Sequence, residues 1–191
     1  MANDDNAKRA DNDPLKNAQS SNRDAVFTWA PDPWEEVVKL EYGGDRSFAT
    51  TVQNMVFAAE PKEFPNIEKK LLKALGNKNC TLAAQDCLCR LIGVVGSEAC
   101  LGVVEPLLVE EKTSHLARLA LEPIPGAKVD DVLRVALPKL KGVIKAGLIG
   151  TIAVRQSDKS VAAELEKIKN DASEPEMVRE AATNALNRIR S

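Results

Sequence analysis

Few residues in this sequence of 191 carry side chains that commonly bind metals or act as nucleophiles. Four cysteines (Cys80, Cys87, Cys89 and Cys100) fall within 21 positions, and His115 is the only histidine. Zinc sites usually take cysteines in paired C-x2-C motifs, whereas Cys87 and Cys89 stand two positions apart inside a predicted helix, where side chains point about 200° apart. The spacing favours free thiols, with a metal site or a redox pair as the alternative.

The cysteines and the histidine are better explained by packing and hydrogen bonding within the fold than by metal binding or catalysis. We expect Cys87 to share the core face of its helix with Cys80, and Cys89 to lie toward the other side. His115 is expected to begin a helix and to bond a neighbouring turn. A single histidine excludes a multi-histidine metal site and most histidine-based catalysis, and no nucleophile has a base available. The sequence therefore predicts a non-enzyme with no catalytic residue, no cofactor and no metal ligand.

Charge changes sign between two neighbouring parts of the chain. Residues 98–131 carry seven acids and three bases, a net charge of −4, whereas residues 134–159 carry six bases and one acid, a net charge of +5. The six bases are the candidate partner-binding residues: Arg134, Lys139, Lys141, Lys145, Arg155 and Lys159. Lys141 and Lys145 are expected on one helical face. Two interpretations stay open: a solvated rim with ion pairs between repeats, or an edge that grips an acidic protein, peptide or nucleic acid.

Apolar residues recur at the helical period along the chain from about residue 32 onward. One stripe, from Ala84 to Val95, follows the offsets 0, 3, 4, 7, 8 and 11, and the next residue is Gly96. Prolines and glycines lie mostly between such stripes, where helices end. The pattern predicts ten helices in five pairs and no strand, which is an all-α fold.

Several local expectations follow from the same pattern. Met55 and Leu119 belong to predicted core stripes, and Ser173 is expected to open a capping box with Glu176. The segment Val143–Val154 is apolar almost all round and should be the most buried helix. Its glycines favour close helix packing over phosphate binding; they are Gly142, Gly147 and Gly150.

The helix pairs repeat at about thirty residues. A late core residue of the second helix recurs at Ile92, Leu121, Ile152 and Leu186, in steps of 29, 31 and 34. Pairs at this period favour an α-solenoid over a four-helix bundle, because each pair can bury its apolar face only against its neighbours.

Two second helices end in the same pattern, Ala-Leu-x-x-Ile, at Ala120-Leu121-Glu122-Pro123-Ile124 and Ala185-Leu186-Asn187-Arg188-Ile189. In length and pattern the pairs resemble HEAT repeats of the short bacterial kind, found in large multi-domain proteins, over residues 64–191 and more loosely over 32–60. Pro106, late in its helix, departs from that pattern. The resemblance implies a right-handed α-solenoid of about five HEAT-like antiparallel helix pairs, with a curved protein-binding surface and no chemistry of its own.

Composition divides the chain near residue 31. Residues 1–31 are mostly polar and are predicted to be a disordered or loosely docked segment, ahead of a HEAT-like helical-repeat domain over residues 32–191. Met1–Gln19 has no apolar core of a signal peptide, and no run of 18 apolar residues offers a membrane span. We expect a cytoplasmic protein, with a mature or excised portion of an exported protein as the alternative.

The leading functional hypothesis is a non-catalytic interaction or scaffold module that binds a protein or peptide, as a monomer or within a larger assembly. One alternative is an enzyme on a HEAT-like scaffold, such as a DNA glycosylase or a bilin lyase subunit. Another is a binder of acidic partners or nucleic acid through residues 134–159. Nucleic acid is disfavoured, since the net charge is only −2 and no Phe, Tyr or Trp follows residue 65 to stack on a base.

Overall fold

The computed structural model describes residues 31–191, which form ten α-helices and no strand, as the all-α prediction requires. The helices are α1 (Pro33–Glu36), α2 (Ser47–Phe57), α3 (Phe64–Leu75), α4 (Leu82–Val95), α5 (Leu101–Leu108), α6 (Ser114–Leu121), α7 (Ala127–Ala136), α8 (Gly142–Arg155), α9 (Ala162–Asn170) and α10 (Glu176–Arg190). The prediction of disorder or loose docking for residues 1–30 lies outside the described residues.

Short polar side chains begin several of these helices. Thr81 accepts a hydrogen bond from the backbone N–H of Ala84 at 3.1 Å, and Asp32 accepts one from the N–H of Trp34 at 3.0 Å. The capping box predicted at Ser173 is wrong. The Ser173 hydroxyl donates instead to Asp171 at 2.6 Å, because that nearby carboxylate is a stronger acceptor within the turn, and Pro175 occupies the N-cap position of α10.

The helices pack in consecutive pairs. Within each pair the two helices contact each other, from α1 with α2 to α9 with α10. Each even-numbered helix also packs against the next even-numbered helix, from α2 through α4, α6 and α8 to α10. We call this succession the even row. Among the odd-numbered helices, α1 contacts α3 and α5 contacts α7.

The core is aliphatic and extends from Val37 to Ile189 without a break in the described residues. Two predictions about the core are wrong. Met55 and Leu119 are predicted to be core residues but are 42% and 40% exposed. The helix α8 is predicted to be the most buried, but Val143 and Val154, near its two ends, are 68% and 44% exposed. The reason is that a row of helices covers each member on only part of its circumference, so an apolar residue can satisfy the helical period and still face solvent.

The two cysteines of α4 are placed differently from the prediction. Cys89 is fully buried and Cys87 is half-buried. Because α4 contacts α2, α3 and α6, more than one of its faces is covered, and Cys89 lies on a face that the core stripe does not include.

Candidate protein-interaction surface

Four of the six candidate bases are divided between the two ends of α8. Lys139 and Lys141 lie just before the helix, Arg155 ends it and Lys159 follows. A helix of 14 residues at 1.5 Å per residue is about 20 Å long, so these groups do not form one continuous basic edge.

Two of the candidates are unavailable to a partner. Lys145 is 7% exposed and pairs with Glu174, the residue two positions ahead of α10. The prediction that Lys141 and Lys145 present one basic face is therefore wrong, since only Lys141 is exposed. The Arg155 side chain is also buried, at 5% exposed.

The guanidinium of Arg155 links the end of α8 by hydrogen bonds to the end of α6 and the turn after it. Its Nε donates to Asp130 Oδ1 at 2.7 Å, while Nη1 donates to the carbonyl oxygens of Leu121 at 2.9 Å, Glu122 at 3.0 Å, and Ile124. The carbonyl groups at the end of a helix have no partner within that helix, and Arg155 supplies donors to them. The Leu121 carbonyl also accepts from the Ile124 N–H at 3.2 Å. Arg155 is a structural residue.

Arg134 is half-exposed and already paired. It contacts Asp131 within α7 and donates from Nε to Asp158 Oδ2 at 3.1 Å. Partial burial raises the pKa of Asp158, but hydrogen bonds from Ser160 and Arg134 outweigh burial and lower that pKa below its usual value. Within residues 31–191, the candidate bases left exposed and without an ion pair are Lys139, Lys141 and Lys159.

Several polar contacts join residues 29 positions apart. Ser97 donates its backbone N–H to Glu68 at 2.7 Å, Arg118 donates to the Gly147 carbonyl at 2.9 Å, and Thr151 donates to Glu122 at 3.0 Å. Lys145 and Glu174 are also separated by 29 residues. The interval equals a step of the predicted repeat, so many buried polar side chains link one helix pair to the next.

The cysteine thiols are held in their neutral form. Burial raises the pKa of Cys89 to about 12 and the pKa values of Cys80 and Cys100 to about 11. A thiol is nucleophilic and binds metal as the thiolate, so these environments oppose both roles. No group of three or more metal-binding side chains occurs in residues 31–191.

His115 is the second residue of α6 and is exposed, with its position as predicted at the helix start. The expected bond to a neighbouring turn is not formed by its side chain within the described part of the chain.

Five exposed apolar side chains lie on three successive helices of the even row. They are Leu82 and Val94 on α4, Leu119 on α6, and Val143 and Val154 on α8, between 39% and 68% exposed. In the described chain, Val135 is the only large apolar residue on the four odd helices from α3 to α9 that is comparably exposed. We call these five residues the central even face. Sequence reasoning missed it because it assigned Leu119, Val143 and Val154 to the core.

Two open clefts lie near the ends of the described chain. One, of about 410 Å³, lies between α1 and α3, where the Lys70 ammonium is 5.3 Å from the centre of the Trp34 ring. The other, of about 620 Å³, lies between the end of α9 and the first half of α10 and includes Lys169 and Arg179. Each cleft has acids and bases on its walls.

No family model, curated protein or solved structure matches this chain. Among the helices of residues 31–191, none is both long enough and apolar enough to cross a membrane. The surfaces of the described residues are therefore the basis of the functional proposal.

Proposed function

We propose that this protein is a non-catalytic interaction module, a HEAT-like α-solenoid that binds a protein or peptide on its central even face. The solenoid arrangement is supported by the contacts between successive even helices and by polar contacts at an interval of 29 residues. In repeat proteins of this kind, each pair buries its apolar surface against its neighbours and leaves one side open.

The central even face carries this proposal. Leu82, Val94, Leu119, Val143 and Val154 expose aliphatic side chains on adjoining helices, while the odd helices have little comparable surface. Exposed apolar side chains on adjoining helices can provide an interaction site, and each Å² of apolar surface removed from water contributes about 25 cal/mol. A partner that buried an apolar strip against these side chains would gain this free energy of binding.

The three free lysines give the face a charged margin. Lys139 and Lys141 stand close in sequence to Val143, and Lys159 follows the end of α8 that carries Val154. Protein interfaces commonly have an apolar centre and a polar rim. We therefore expect a partner whose apolar strip is flanked by acidic residues. The neutral thiols and the divided basic residues favour neither an enzyme nor a nucleic-acid binder.

The proposal is tested by capture from native cell extract with the full chain, comparing Val143→Asp and Leu119→Asp with the matched control Val135→Asp. Val135 is 50% exposed but lies on the odd helix α7. A specific protein partner should be lost with the first two variants and kept with the control. Equal loss in all three, or nucleic acid released by salt as the sole bound material, would contradict the proposal.

A further inference from the structure

The outer side of α10 contains an arginine without a partner. α10 packs against α8 and α9, and the cleft beside it is lined by Glu176, Arg179 and Glu180 among others. Arg179 forms no ion pair within residues 31–191, and its buried Nε has no hydrogen-bond partner. The Arg179 side chain also lines the open cleft, so a carboxylate that entered the cleft would supply an acceptor and an opposite charge to this guanidinium.

The same position in the preceding pair shows how such a charge is satisfied. Arg179 stands seven residues before the core residue Leu186, and Lys145 stands seven residues before the core residue Ile152. Lys145 pairs with Glu174, which lies two residues ahead of α10, the second helix of the next pair. In this one pair, a cation at this position is met by a carboxylate just ahead of the following even helix.

The first helix pair carries a carboxylate in the corresponding place. Asp45 lies two residues ahead of α2, as Glu174 lies two residues ahead of α10. It is exposed, and it accepts hydrogen bonds from the Ser47 N–H at 2.9 Å and the Ser47 hydroxyl at 2.8 Å. A carboxylate accepts about four hydrogen bonds, so Asp45 can also bind a guanidinium.

We propose that copies of this chain associate head to tail, with the first helix pair of one copy stacking on α10 of another and Asp45 of the first binding Arg179 of the second. This contact between two copies would be equivalent to the ion pair that Lys145 and Glu174 form within one chain. It goes beyond the proposed function and uses none of the central even face.

Exposed apolar residues of the first pair support this contact. Tyr42, Met55 and Phe57 are 64%, 42% and 60% exposed. A contact that joins different surfaces of two identical chains does not close on itself unless the rotation forms a ring, so growth beyond a dimer is expected.

The test is sedimentation of the full chain over a hundredfold range of concentration. Wild type should associate beyond a dimer as concentration rises. Arg179→Gln and Asp45→Asn should each weaken association about tenfold or more, since each removes one charged partner. Asp45→Asn keeps a hydrogen-bond acceptor for Ser47, and circular dichroism checks that helicity is unchanged. Arg188→Gln, an exposed change on the opposite side of α10, should associate as wild type does.

Mixing the two variants gives the sharper result. Asp45→Asn retains Arg179, and Arg179→Gln retains Asp45, so an equimolar mixture has one intact contact and should stop at a dimer. A chain carrying both Arg179→Asp and Asp45→Arg should recover association, because the charges are exchanged. A wild type that stays monomeric throughout, or an Arg179→Gln variant that associates like wild type, would overturn the proposal.

Discussion

At the scale of single residues, the buried guanidinium of Arg155 joins α8 to the turn after α6. The Arg155 and Asp130 side chains are 5% and 12% exposed, so removing the arginine takes the cation away from a nearly buried carboxylate. Of its partners in the described chain, Asp130 would keep only the hydrogen bond from the Ser157 hydroxyl at 2.7 Å, and the Glu122 carbonyl would lose the Arg155 donor. We expect Arg155→Met to lower the free energy of unfolding by about 3–5 kcal/mol.

The matched control is Arg134→Met, which removes a half-exposed pair and should cost at most about 1 kcal/mol. Urea denaturation of both variants measures the difference. If the two variants were equally stable, Arg155 would not have the structural role assigned to it.

The cysteines give a prediction about alkaline pH. Burial raises the pKa of Cys89 to about 12 from the ordinary value of 9.0, so above pH 9 the unfolded chain releases thiol protons that the folded chain retains. The unfolded state then binds fewer protons, and the free energy of unfolding should fall as pH rises from 9 toward 11.

Denaturation at pH 8 and pH 10 measures this fall. Cys89→Ala should be less stable at both pH values because it loses packing, but its stability should depend less on pH than that of wild type. An unchanged pH dependence would mean that the Cys89 thiol is not protected in the folded chain.

At the scale of elements, two of the three glycines of α8 lie in different surroundings. A Cβ added to Gly147 would lie 2.7 Å from the guanidinium carbon of Arg118, whereas a Cβ on Gly150 would meet nothing within 4 Å. Gly150→Ala should stabilise the protein by up to about 1 kcal/mol through helix propensity. Gly147→Ala should displace Arg118 from the Gly147 carbonyl and be the less stable of the two variants by at least about 1 kcal/mol.

Thermal denaturation of the two alanine variants compares them within one helix. Gly147→Ala as stable as Gly150→Ala would show that Arg118 moves aside without cost. The sequence predicts that the α8 glycines allow close helix packing. At Gly142 and Gly150 an added Cβ would meet nothing within 4 Å, and at Gly147 the close neighbour is the end of the Arg118 side chain.

The positions of the helices could be predicted because their signals are local. The stripe that ends at Val95 is followed by Gly96, and α4 ends at Val95. The exposure of particular side chains could not be predicted in this way. Whether Lys145 is a free charge depends on Glu174, 29 residues away, and on the packing of α8 against α10. The basic residues therefore resembled a binding edge in the sequence although two of them stabilise the fold.

At the scale of the whole molecule, the even row places apolar side chains of α4, α6 and α8 on one succession of helices. Periodicity assigned some of them to the core, since a residue that fits the helical stripe is normally buried. The all-α class could be predicted from sequence, but the central even face required knowledge of which helices adjoin. We propose that a protein or peptide binds there.

The most direct measurement of that claim is photo-crosslinking in the native cell. A photoreactive amino acid replaces Leu119 in the central even face or, as the control, Val135 on α7, and mass spectrometry identifies the crosslinked chain. We expect one recurrent protein partner joined at position 119, through an apolar segment with acidic neighbours, and none enriched at position 135. Crosslinks to the same proteins from both positions, or none from position 119, would contradict it.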